Sequence, residues 1–330
     1  MKAMLTDEKK HLVWSEVPQP QPQPDEVLVK VYACAVNRAD LLQRQGKYPS
    51  PPGCPPWMGL EVAGEVVSVG ALAAQKSAWK PGDRVCALLG GGGYAEYVSV
   101  RYDMLMPVPQ GLTLCEAASL PEVFATSYLN LFLEGHLLPG QTVYIPAGAS
   151  GLASAAIPMA KAFGARVITS VLTDELAARI APLGADIVIN STTQSVAEVF
   201  AEQEKAGTPV HVAMDCLSGA SLGECLPYMA RGGYWVVIST LAGVETNLQL
   251  RPLLTKGLHV VGSMLRNRTP QFKAELLEQL VKNVWPKIER KEICTQVYKI
   301  LPIEQAEAAH AILEEGRHNG KVVLRVREDA

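Results

Sequence analysis

A run of small residues, Gly148-Ala-Ser-Gly-Leu-Ala153, stands between an apolar segment, Val143-Tyr-Ile145, and an Ala-rich stretch continuing to Ile157. Glycines at such a junction let a strand turn tightly into a helix. The first amides of that helix lack partners, and with the helix dipole they suit an anion such as a dinucleotide pyrophosphate. Read as G-x-G-x-x-G, the key positions are Gly148, Ser150 and Ala153, and only the first is glycine. Alanine fits the third position, where helix packs on strand. Ser150, Gly151, Leu152 and Ala153 are therefore the candidate phosphate contacts.

The same residues offer a second chemistry. Gly148-Ala-Ser150 could begin the G-x-S-x-G elbow that presents a serine nucleophile in α/β-hydrolases. The closing glycine of that motif would be Leu152, however. Asp215 and His259 have the required order for a triad, but His259 opens an apolar strand instead of lying on a loop. The remaining chemistry-bearing residues are scattered. Seven cysteines form no C-x-x-C pair, and six histidines show no metal spacing. The cysteines read as small buried hydrophobes in a reducing compartment, with neither a disulfide framework nor a four-Cys zinc site.

Bulk properties bound the rest. A chain of 330 residues suggests two domains. A composition of 48% hydrophobic and 19% charged residues describes a globular protein with ample core. The net charge of −3 supplies no basic footprint, so nucleic acid is not an expected partner. No apolar run reaches the roughly 18–20 residues that cross a bilayer. The first residues carry no secretory apolar core, which points to the cytoplasm.

Residues 1 to about 110 read as short strands with Gly and Pro punctuation: Val27–Cys34, Glu61–Gly70, Arg84–Leu89 and Tyr94–Val100. That spacing suggests a barrel-like β domain. Pro18-Gln-Pro-Gln-Pro-Gln-Pro24 reads as a stiff connection. From about 121 strands alternate with helices. Strands are expected at 143–145, 167–169, 187–189, 210–215, 234–238 and 259–262. Helices are expected at 151–163, 174–182, 195–205, 219–229 and 251–256. Six strands joined by crossovers make a doubly wound parallel sheet. Pro158 should kink the first of these helices. The segment 320–326 is a final strand that could rejoin the first sheet.

The whole chain resembles the medium-chain dehydrogenases/reductases, in their zinc-independent quinone oxidoreductase branch. The resemblance is carried by Asn37-Arg-Ala-Asp40, Gly46-Lys-Tyr48, Gly59-Leu-Glu-Val-Ala-Gly64 and Pro81-Gly-Asp-Arg-Val85. Gly93-Tyr-Ala-Glu-Tyr97, Leu183-Gly-Ala-Asp186 and Gly320-Lys-Val-Val-Leu324 extend it to the end of the chain. The segment 37–49 is closest to stress-induced, NADPH-using members. The resemblance implies an α/β protein with a GroES-like β-barrel catalytic domain (1–120 and 265–330) and a Rossmann domain with a six-stranded sheet (121–264). It also implies a homodimer.

Zinc-using relatives carry a ligand Cys where this chain has Asn37, and Gly-His-Glu where it has Gly59-Leu60-Glu61. Leucine cannot ligate zinc, so no metal is expected. Without a Lewis acid, the chemistry implied is hydride transfer to a substrate that is already electrophilic, a quinone or an activated alkene (enone). Asn37 and Tyr48 are the implied catalytic hydrogen-bonding residues. Tyr48 could donate a proton or serve as an aromatic wall. Thr126, Ile238 and Leu265 match positions around the nicotinamide.

Cofactor choice is read at the end of the second strand, Thr169-Ser-Val-Leu-Thr173, where Ser170 is a candidate contact. No acid stands there to hold an NAD ribose, which points to NADPH with NADH not excluded. The lysine that usually follows in NADPH-using relatives is absent. The remaining alternatives are a non-catalytic dinucleotide-binding or redox-sensing protein and the serine hydrolase.

Overall fold

Valine-rich alternation in the first hundred residues and in the last few produces one sheet, and the short apolar runs between them produce another. The structure, a computed structural model, describes residues 1–316 and 318–328. The chain divides into two units. The first contains Met1–Ala125, Arg266–Lys291 and Thr295–Ala330; the second contains Thr126–Leu265 and Glu292–Cys294.

Strands of the first unit are β1 (Lys2–Thr6), β2 (Leu12–Glu16), β3 (Glu26–Val36), β4 (Glu61–Val69), β5 (Arg84–Leu88), β6 (Tyr97–Arg101) and β7 (Leu105–Pro107). The second unit holds β8 (Thr142–Ile145), β9 (Arg166–Val171), β10 (Ile187–Asn190), β11 (Val210–Asp215), β12 (Tyr234–Val237) and β13 (His259–Gly262). The chain then returns to the first unit with β14 (Val297–Pro302) and β15 (Lys321–Arg325).

The first unit's main sheet has the order β14-β15-β3-β4-β5-β7, with β6 also on β3, and β1 and β2 pair separately. Among the described residues β14 and β7 do not pair with each other, so the ladder is open at these ends. The final strand does rejoin this sheet. Antiparallel pairing sets Val322 opposite Val36, which brings Lys321 to the end of β3 beside Asn37. Beyond β3, the short helix Arg38–Arg44 starts at Asn37, whose backbone amide donates to Asp40 Oδ2 (2.8 Å). Gly59 has φ +110°, and a Cβ there would stand 2.5 Å from the Gly93 Cα, so only glycine fits this backbone crossing.

In the second unit all six strands are parallel, ordered β10-β9-β8-β11-β12-β13. The order reverses between β8 and β11, which opens a crevice at the carboxyl ends of these strands. The crossover helices are Gly151–Ala162, Asp174–Ile180, Val196–Lys205, Ala220–Cys225 and Leu250–Lys256. One face of the sheet buries Tyr144, Ile168, Phe200 and Trp235, with the Tyr144 and Phe200 rings edge to face at 5.2 Å. Full burial of such a side chain contributes about 1.5–3 kcal/mol. The first crossover helix runs unbroken through Pro158, which forgoes one backbone bond near its carboxyl end. Among the described residues no helix is long and apolar enough to cross a membrane.

Candidate functional site

In the second unit β8 ends at Ile145, and the turn 146–150 leads into the helix Gly151–Ala162. Ala147 takes φ +53°. Gly148 cannot carry a side chain, because a Cβ would fall 2.5 Å from Thr169 Oγ1 and 2.8 Å from Ile180 Cδ1. Its amide donates to the Ser170 carbonyl (2.8 Å), which pins the turn to β9. Ser150 caps the helix, its Oγ accepting from the Ala153 amide (3.1 Å). The amides of Gly151 and Leu152 have no acceptor among the described residues, so they and the helix dipole are available to an anion. Ala153 is buried against the strand, as the close helix packing requires. This turn fits a pyrophosphate.

The other predicted contacts of this unit lie as follows. Ile238 follows β12, its amide donating to the Asp215 carbonyl (2.9 Å). Leu265 lies beyond β13 and is buried. Both therefore stand at carboxyl ends of strands, as Ser150 does. Thr126 sits on the helix Pro121–Tyr128, its carbonyl accepting from Asn130 Nδ2 (2.7 Å), just before a π-helical turn at Leu129–Leu133. Ser170 is turned inward: its hydroxyl shares a hydrogen bond with the Tyr144 phenol at 2.9 Å.

At the mouth of β9, Leu172 is 61% exposed, and Thr173 caps the next helix through Leu176. Asp174 accepts from Asn190 Nδ2 (2.7 Å), and Ser191 bonds back to the Val171 carbonyl. Neither the 170–175 turn nor the 190–195 turn contains Lys or Arg. A 2′-phosphate would meet hydroxyls and Asp174 there instead of a cation. The hydrolase alternative fails on topology. Ser150 follows the carboxyl end of β8, whereas His259 begins β13 at the opposite end of a parallel sheet.

In the first unit, Asn37 belongs to a buried polar network. Its Nδ2 donates to Glu61 Oε1 (2.9 Å) and, more weakly, to the Ala35 carbonyl (3.4 Å). Its Oδ1 accepts from Lys321 Nζ (2.7 Å). The same ammonium donates to the Val36 carbonyl (3.1 Å) and forms an ion pair with Glu61 Oε1 (2.8 Å). Glu61 is 0% and Lys321 4% exposed. Glu61 Oε2 accepts the Glu122 amide (2.9 Å). Leu60, next to Glu61 in sequence, is buried.

Asp40 accepts the amides of Asn37 and Gly59 and the Tyr94 hydroxyl (3.3 Å). Burial nevertheless lifts its carboxyl to about 6, against the lowering by those amides. The Tyr94 hydroxyl also meets His310 Nε2 at 3.3 Å. With the hydroxyl hydrogen on Asp40, that nitrogen must carry the proton. Burial holds His310 down at about 4, so it is neutral. Burial and the nearby Glu61 push Glu122 up to about 8.

Tyr48 is half-buried, and its ring lies under the Arg266 guanidinium, Cζ to centroid 4.6 Å. Burial raises the phenol above its ordinary value while Arg266 opposes. Among the described residues no three His, Cys, Asp or Glu side chains are grouped to hold a metal.

Sequence reasoning assigned no role to Lys321, Glu122 or Arg266. The available signal was a lone cation in an apolar setting: Lys321 ahead of Val-Val-Leu, and Arg266 after Met264-Leu265.

Comparison with known proteins agrees with this geometry. Residues 23–110 match the alcohol dehydrogenase GroES-like domain family, and residues 151–282 match the zinc-binding dehydrogenase family. A quinone oxidoreductase-like protein 2 homolog from Nematostella vectensis is 33% identical over 72% of this chain. The chain spans 64% of that relative's length, just under two thirds. Quinone oxidoreductase from Mus musculus is 29% identical over 94% of the chain and 92% of its own length. Among solved structures, the quinone oxidoreductase from Thermus thermophilus, also solved in complex with NADPH, is 31% identical. It superposes with a TM-score of 0.80 over 99% of this chain and 100% of its own. A parallel six-stranded sheet with a small-residue turn after its first strand, a GroES-like unit and end-to-end similarity of this degree show that the chain belongs to the medium-chain dehydrogenases/reductases, in their quinone oxidoreductase-like branch.

Proposed function

We propose that this chain is an NADPH-dependent oxidoreductase that reduces quinones, or alkenes conjugated to a carbonyl, without zinc. The observation that carries the zinc-free reading is the Lys321 ammonium on Glu61 and Asn37, with Leu60 next to Glu61 in sequence. A fixed cation, held by the Val36 carbonyl and Asn37, already neutralises the buried Glu61 carboxylate. NADPH is supported by the Thermus thermophilus complex and by the free amides of Gly151 and Leu152.

The dinucleotide, when bound, supplies the hydride. The amides of Gly151 and Leu152, with Ser150 capping the helix, hold the pyrophosphate. Backbone near Thr126, Ile238 and Leu265 borders the nicotinamide, and Ser170 and Leu172 border the adenosine ribose. Tyr48 gives a hydrogen bond or a proton to the substrate oxygen as it gains charge. Asn37, expected as a catalytic hydrogen-bonding residue beside Tyr48, has its side-chain amide engaged by Glu61, Ala35 and Lys321, and we read it as anchoring the helix start instead of meeting the substrate.

The direct test is oxidation of NADPH by 1,2-naphthoquinone after dialysis against EDTA. Steady turnover is expected; binding of NADPH without turnover would favour the non-catalytic alternative, and loss of activity that zinc restores would remove the zinc-free reading. The Tyr48→Phe variant is expected to lose about 10²-fold in kcat with the KM for NADPH unchanged. An unchanged kcat would leave Tyr48 as a wall.

We also read the protein as a homodimer in the cytoplasm. Among the described residues strand β13 is one of the two edges of the second sheet, Val260 on it is 42% exposed, and Leu241, Val244 and Met264 are exposed apolar residues of the same unit. An exposed apolar edge is a template for pairing with a second copy. Val260→Lys is expected to shift the sedimenting species to monomer, and a wild-type monomer would end this reading. Among the described residues none of the seven cysteines is joined in a disulfide, which suits a reducing compartment.

A further inference from the structure

Arg266 is 8% exposed, yet among the described residues none of its hydrogen-bond partners is a carboxylate. Nε and Nη2 donate to the Gly90 carbonyl at 2.9 and 2.6 Å. Nη2 also reaches Gln43 Oε1 at 2.9 Å, and Nη1 reaches the Tyr48 carbonyl at 3.4 Å. A cation taken out of water ordinarily recovers its solvation from an anion. Here carbonyl dipoles and the face of the Tyr48 ring supply it instead, so positive charge is left uncancelled beside the phenol.

The groups around it strengthen that field. Lys273 donates from Nζ to the Arg266 carbonyl (2.7 Å) and adds a second positive charge. Cys54 lies within reach of both cations, and burial keeps its thiol protonated. Glu122 is the acid that acts on Tyr48, and its carboxyl, raised to about 8, is neutral at neutral pH.

We propose that Arg266 is the positioning residue of Tyr48: its network fixes the phenol in place, and its charge stabilises the phenolate left when Tyr48 gives up its proton. This rests on the reading of Tyr48 as a donor. In that step the phenolic O–H bond breaks and the proton joins the anionic oxygen of the reduced substrate. The bonding pair stays on the phenolate, and water later returns a proton. Burial alone opposes this step by raising the phenol, and Arg266 acts against it through charge and hydrogen bonding.

The test is a double-mutant cycle between Arg266→Met and Tyr48→Phe, read by NADPH oxidation with 1,2-naphthoquinone. In the wild-type background R266M is expected to lower kcat about tenfold or more, with the KM for NADPH unchanged. The alkaline limb of its pH–rate profile should move upward, because removing a cation raises the phenol's pKa. In the Y48F background R266M should add nothing. Equal losses in both backgrounds, or an unmoved limb, would overturn the proposal. Arg266→Lys keeps the charge and loses the fork, so it should show an intermediate kcat, and it carries the test should R266M fold poorly. If the wild-type protein oxidises no NADPH, the oxidoreductase reading falls on its own. The ultraviolet difference titration of wild type against Y48F, repeated with R266M, then still decides whether Arg266 lowers the Tyr48 phenol.

Discussion

Replacing Lys321 with methionine will lower the unfolding free energy of the first unit by about 3–5 kcal/mol. The ammonium donates to the Val36 carbonyl and Asn37 Oδ1 and is ion-paired with Glu61 Oε1. Methionine fills the space and satisfies none of them. Glu61 would then be a carboxylate wholly out of water, held only by Asn37 Nδ2 and the Glu122 amide. An ion pair of this kind adds little over a well-packed apolar pair, but half of one is strongly destabilising. Lys321→Met with Glu61→Gln should therefore recover most of the loss, giving non-additivity of at least ~2 kcal/mol. Denaturant unfolding of the two single variants and the double variant measures it. A loss below about 1 kcal/mol in K321M would show that the pair is not as isolated from solvent as the contacts require.

Glu122→Gln will stabilise the protein at alkaline pH and leave it unchanged near pH 4. The carboxyl has an ordinary value of 4.5 and stands at about 8 in the fold, chiefly through burial and then through Glu61. The sign follows from which state holds the proton. Between these values the folded chain keeps it and the unfolded chain releases it, so stability falls as pH rises from about 4.5 to about 8. Above that the folded protein must keep a charged carboxylate beside Glu61. Glutamine has no such cost at any pH. A fully buried group displaced this far would contribute about 4–5 kcal/mol. Glu122 as a residue is only partly buried, and solvent nearby would screen it, so the gain should be about 1–3 kcal/mol at pH 8. Chemical denaturation at pH 4.5 and pH 8 compares the two; a constant difference at both would mean that Glu122 ionises freely in the fold.

These two residues also mark how far the sequence could be read. The six parallel strands and five crossover helices were legible, because short apolar runs punctuated by Gly and Pro are local signals. The turn at Gly148–Ala153 was legible for the same reason, since strand, turn and helix are contiguous. Ser170 was legible as a position and not as an orientation. Its place near the end of β9 followed from spacing, but the inward turn of its hydroxyl depends on Tyr144 across the β8–β9 pairing.

The amino-acid sequence by itself determined the parallel-sheet unit, the small-residue turn after its first strand, and Asn37 and Leu60 as residues of the first unit, because these rest on residue type and near spacing. Only the tertiary structure decided which charges meet. Lys321 reaches Asn37 across 284 positions, because β15 pairs antiparallel with β3 in one register. Arg266 reaches the Tyr48 backbone across 218 positions. A single buried cation looks the same in the sequence whatever it faces. What it faces is set by strand register and by the exclusion of water from the place where the two segments meet.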